Sequence, residues 1–112
     1  MAIQNLEIKR NTTYEMSYTH TAAMTGGTVY FTVKSVEFDT DAADTSALIL
    51  KTVTSFTLGN TLASWTLTDA DTYITPGKYF YDIVYEEASG KSLPPIFEGK
   101  FKVAGHPTNR SV

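Results

Sequence analysis

The side chains that could do chemistry are few and scattered. His20 and His106 are the two histidines, and each falls in a stretch that reads as loop. Neither stands in a nucleophile or metalloprotease motif, since the chain has no G-x-S-x-G and no H-E-x-x-H. Two solvated surface histidines are the expectation. Asp39, Asp41 and Asp44 could lend oxygens to calcium, but the glycine and distal glutamate of an EF-hand loop are missing. Asp69 and Asp71 follow Thr68 at the spacing of a capped helical turn, which explains them without a metal. Glu86 and Glu87 could act as an acid/base pair only inside a cleft, and a hairpin end is the wrong place for one. With no cysteine in 112 residues, thiolate chemistry and disulfides are excluded. No catalytic residue, no metal ligand and no cofactor is expected, so the chain reads as a non-enzyme.

The elements around these residues alternate with a period of two. Residues 4–9 set Leu6 and Ile8 against Asn5, Glu7 and Lys9, the pattern of a half-buried strand. Residues 13–18 place Tyr14, Met16 and Tyr18 on one face. Residues 28–38 begin with Val29, Phe31 and Val33 on one parity and end with Val36 and Phe38 on the other. A bulge or strand end is expected near Lys34 and Ser35. The apolar run over 47–54 favours a strand. Segments 56–58 and 62–68 flank Gly59-Asn60 and predict a hairpin with a two-residue loop; Ala63, Trp65 and Leu67 share its inner face. Thr68 caps one short helical turn near 69–73. Thr75-Pro76-Gly77-Lys78 fits a type II turn, with Gly77 at positive φ.

The strand over 78–86 is the strongest. Tyr79, Tyr81, Ile83 and Tyr85 point inward; Phe80, Asp82, Val84 and Glu86 point outward. A loop over 87–91 returns the chain through 93–103, with Phe97, Phe101 and Val103 inward. Pro94 and Pro95 cannot donate ladder hydrogen bonds, so pairing is expected only after them or at an edge. About seven or eight short strands with turns every eight to twelve residues predict an all-β fold, an immunoglobulin-like β-sandwich. One domain is expected over 1–104, with a polar C-terminal tail over 105–112.

Composition narrows the function classes. The net charge of -3 and the absence of a Lys/Arg cluster argue against nucleic-acid binding. The first residues lack a basic and then apolar leader, so no secretory signal is expected. The apolar runs are too short to cross a bilayer as helices, and no membrane partner is expected. Tyr79, Tyr81, Tyr85 and Trp65 read as core. Phe80 and Val84 are more informative, because they would form an apolar spot on the outer face.

The stretch from Trp65 through Thr75-Pro76-Gly77-Lys78-Tyr79-Phe80-Tyr81-Asp82-Ile83, with Glu98-Gly99-Lys100-Phe101-Lys102-Val103 downstream, resembles a pattern in tailed-bacteriophage proteins. The family is that of small virion proteins similar to the immunoglobulin-like N-terminal domain of upper-baseplate proteins. The match covers the C-terminal half, and Pro94-Pro95 interrupts it. The resemblance implies a non-enzymatic structural component of a virion, in head, neck, tail or baseplate, made in the host cytoplasm. Its partners would be other phage structural proteins in multiple copies. Phe80, Val84, Pro94, Pro95, His106 and Arg110 are the expected contacts. The alternative is a carbohydrate or host-surface binding module that uses Tyr30 and Phe38 as surface aromatics.

Overall fold

A computed structural model describes residues 2–3, 5–35, 47–91, 93 and 95–105. Its strands are β1 (Ala2–Ile3), β2 (Leu6–Lys9), β3 (Tyr14–Thr19), β4 (Thr28–Lys34), β5 (Ile49–Val53), β6 (Leu62–Leu67), β7 (Gly77–Glu86) and β8 (Phe97–Ala104). They form two sheets. The large sheet has the order β1-β8-β7-β4-β5, with β2 also on β8; the small sheet pairs β3 with β6. Strands β1 and β2 are two pieces of one edge strand. Both run parallel to β8, and Ala2 opposite Phe97 and Leu6 opposite Phe101 keep a single register. The break between them is bridged by a side chain: Lys100 N–H donates to Asn5 Oδ1 at 3.0 Å.

This is the immunoglobulin-like β-sandwich that the spacing of the strands predicts. Taking β1 and β2 as strand A, the rest follow as B, C, C′, E, F and G, with B and E facing the sheet that carries C, F and G. A tyrosine corner supports the correspondence. Tyr79, near the start of β7, donates its O–H to Thr75 C=O at 2.5 Å.

The alternation fixes the core. Val29, Phe31 and Val33 of β4, Tyr81, Ile83 and Tyr85 of β7, Phe101 and Val103 of β8, and Ala63, Trp65 and Leu67 of β6 are all buried. Phe31 lies at their centre, with ring centroids of Trp65, Tyr81 and Phe101 at 5.5, 5.9 and 6.2 Å. Burying one large apolar side chain contributes about 1.5–3 kcal/mol, so this row dominates the driving force.

Two expectations about turns fail. The hairpin around Gly59-Asn60 shrinks to one bridge, Thr57 opposite Leu62, closing a four-residue loop. Leu58, Gly59 and Asn60 all take left-handed φ, 52, 68 and 64°. Phe56 packs against the core instead of extending the ladder, and β6 takes β3 as its partner along its full length. The second failure is Gly77, which is absent from the glycines with positive φ. It begins β7 opposite Val103, and its missing side chain leaves the Tyr79 ring 3.8 Å from where a Cβ would stand. A Cβ there would make only ordinary contact with that ring, so the glycine neither forms a type II turn nor is required for space by the tyrosine corner.

The helical turn does form. Thr72 N–H donates to Thr68 C=O at 3.1 Å, and Asp71 N–H to Thr68 Oγ1 at 3.2 Å. Asp71 Oδ2 accepts from Thr68 N–H at 2.8 Å in return, so the pair makes a reciprocal capping box. Strand β4 ends at Lys34, where the parity switch predicts a strand end. Strand β8 starts only after the prolines, at Phe97.

Candidate association face

Direct cross-strand pairing puts residues on the same face of a sheet. Along the outer face of the large sheet, one row reads Thr52, Tyr30, Val84 and the next Leu50, Thr32, Asp82, Glu98. Below them run Lys34, Phe80, Lys100, and then Lys78, Lys102, Glu7. Tyr30, Phe80 and Val84 are half-buried and Leu50 is exposed, so four apolar side chains from three strands sit together amid charges. Lys34 and Lys100 stand on either side of Phe80, and long lysine stems cover apolar surface while their heads stay wet. The small sheet differs. Its outward positions are polar except Leu62 at one end: Glu15, Ser17, Thr19, Ser64 and Thr66, with Thr66 Oγ1 3.1–3.2 Å from the two Glu15 carboxylate oxygens.

Phe80, Val84 and Tyr30 are therefore brought together on one face. Pro95 is half-buried in the approach to β8. Pro94, His106, Arg110 and Phe38 lie outside the described residues, as do Asp39, Asp41 and Asp44.

His20 corrects the expectation of a solvated surface histidine. It is half-buried, its ring lies 5.0 Å from that of Tyr85, and Nδ1 is 2.5 Å from Tyr18 Oη. Burial, and then the neighbouring Tyr85, push the Tyr18 phenol above its ordinary value. A neutral phenol donates to an unprotonated Nδ1 and accepts from a protonated one. The His20 N–H also donates to Thr61 C=O at 2.8 Å, so the residue ties two loops at one end of the sandwich. At this end Leu58 is 74% exposed in a left-handed conformation. Its prominence was hidden because the sequence placed it in a strand arm.

A shallow depression of about 520 Å³ lies at the other end, lined by Ser35, Leu48, Asp71, Tyr73 and Tyr79 among others. The Arg10 guanidinium sits 4.1 Å from the Tyr73 ring centroid. Asp71 is engaged by Lys51 Nζ at 2.7 Å, from strand β5. Lys51 lies on the inward parity of an edge strand, a position where a charge discourages further strands from adding. Burial alone pushes the Asp71 carboxyl up, but hydrogen bonds from Lys51 and Thr68 outweigh it and hold the group below its ordinary value. The ionised carboxylate therefore stabilises the fold fully above the unfolded value of about 3.9, and this contribution fades as pH falls through the lower native value. The urea midpoint of Asp71→Asn is expected to lie below wild type at pH 7 and to converge with it near pH 2. A gap independent of pH would show that charge is not the cause.

Among the described residues, no group of three or more His, Cys, Asp or Glu side chains is gathered that could hold a metal ion. No protein-family model matches the chain, and no curated protein and no solved structure is significantly similar to it.

Proposed function

We propose that this chain is a non-enzymatic structural component of a tailed-phage particle, acting by docking onto repeated neighbouring subunits. The observation that carries the docking is the outer face of the large sheet, where Tyr30, Leu50, Phe80 and Val84 are interleaved with Asp82 and flanked by Lys34, Lys100 and Glu98. Apolar side chains grouped among charged ones on one exposed face are characteristic of association surfaces. The phage setting rests on the resemblance of the segment from Trp65 to Ile83 and of Glu98 to Val103. The capping box and the tyrosine corner give that segment a definite shape, since both are built from its residues.

The test is incorporation. Tagged chain is supplied during infection by the phage that encodes it, and its copies per purified particle are counted. Wild type is expected in particles. Val84→Asp is expected to melt within a few degrees of wild type, because the side chain faces outward, and to lose incorporation by about tenfold or more. A wild-type chain absent from particles overturns the virion reading. A Val84→Asp chain incorporated like wild type overturns the choice of face.

A further inference from the structure

Charge on the outer face of the large sheet is segregated along the strands. Toward the 87–91 turn the face carries Asp82, Glu86 and Glu98. Toward the opposite end it carries Lys34, Lys78, Lys100 and Lys102, with Glu7 beside the last at 3.8 Å. The apolar side chains straddle the divide: Phe80 lies on the basic side, Val84 and Tyr30 on the acidic side, and Leu50 in the Asp82 row.

The geometry points to a second copy of this chain as an occupant of the face, packed as an isologous two-fold dimer; the inference rests on the docking role just proposed for it. Two sheets that meet face to face about an axis perpendicular to their strands run in opposite directions. The acidic half of each then lies on the basic half of the other. With the axis between the Phe80 and Asp82 rows, Glu98 of each copy meets Lys100 of the second copy. Asp82 then falls over Phe80 of the second copy, between its Lys34 and Lys100. Phe80 and Leu50 lie in the two rows beside the axis, and Val84 falls over Lys78 of the second copy, whose long stem can cover it. Aligned sheets cross at about 30°, which leaves neighbouring rows in reach of one another. A two-fold interface must be complementary to itself, and a face with one acidic and one basic half meets that condition. An axis along the strands would set like charges on like charges.

The experiment uses purified full-length chains and measures mass by sedimentation and light scattering. Wild type is expected to be dimeric at about 0.1 mM in low salt, where even weak contacts are populated, and to dissociate as salt screens the charges. Glu98→Lys and Lys100→Glu are each expected to weaken association by about tenfold or more. Mixing these two variants restores a dimer, because Glu98 of one then meets Lys100 of the other and the reversed charges meet each other. The chain carrying both reversals also dimerises. A monomeric wild type overturns the two-fold dimer. It leaves the virion reading standing if the same chain still enters particles. Dimers that ignore both charge reversals place the contact on another surface and also overturn the inference.

Discussion

Phe31→Ala is expected to leave the domain largely unfolded, or at its limit of stability, at 37 °C. The side chain is 1% exposed and lies against rings from β6, β7 and β8. Truncating such a phenylalanine removes about 3–5 kcal/mol, part from lost transfer energy and part from the cavity left behind. A domain of this size has a total of about 5–15 kcal/mol. The effect is large because Phe31 links the two sheets: Trp65 comes from the small one, Tyr81 and Phe101 from the large one. The urea midpoint is expected to fall by about 2 M or more. Phe31→Leu, which keeps most of the volume, is expected to lose less than about 1.5 kcal/mol. If alanine and leucine behaved alike, the rings around Phe31 would not be closing a core.

Thr72→Val is the second large effect, and it tests hydrogen bonding rather than volume. Thr72 is fully buried. Its Oγ1 donates to Thr12 C=O at 2.7 Å and accepts from Thr12 N–H at 2.8 Å. One hydroxyl thus satisfies both backbone groups of a residue in another loop and fastens the β2–β3 connection to the turn before β7. Valine matches the shape and supplies neither bond. Each backbone group left unsatisfied costs about 1–3 kcal/mol, so a loss of about 2–4 kcal/mol is expected. Thr72→Ser keeps the hydroxyl, loses one methyl, and is expected to lose about 1 kcal/mol. The order is diagnostic, because volume alone ranks valine as the milder change. Chemical denaturation of the two variants decides it.

The sandwich was legible where period-two alternation dominates. Val29, Phe31 and Val33, and likewise Tyr81, Ile83 and Tyr85, are buried as the pattern requires. Pro95 marks the late start of β8 for a reason visible in one residue, the missing N–H. The polar anchors were not legible. Asn11 and Thr72 are buried, yet Asn11 lies between two alternating runs and Thr72 in the short capped turn near 69–73, where no local pattern marks a core position. Their partners lie far along the chain, and no local spacing announces them. Met24 is fully buried although it lies between β3 and β4, outside any alternating run. Gly77 misled because a Pro-Gly pair permits a positive φ without requiring one, and here the glycine simply opens strand β7 opposite Val103. The outer face was legible as the pair Phe80 and Val84. Its extension through Tyr30 and Leu50, and its division by charge, depend on which strand lies beside which.

The parallel pairing of β2 with β8 has a mechanical consequence. Leu6 lies beside Phe101 and Lys9 beside Ala104, so the first and last strands point the same way. Tension applied through the two ends of the sandwich pulls these strands past each other along their length. Every hydrogen bond of the ladder is then loaded at once, in shear, and none can open before its neighbours share the force. An antiparallel closing pair would be peeled apart one bond at a time. The same edge that completes the sheet therefore acts as a clamp against stretching.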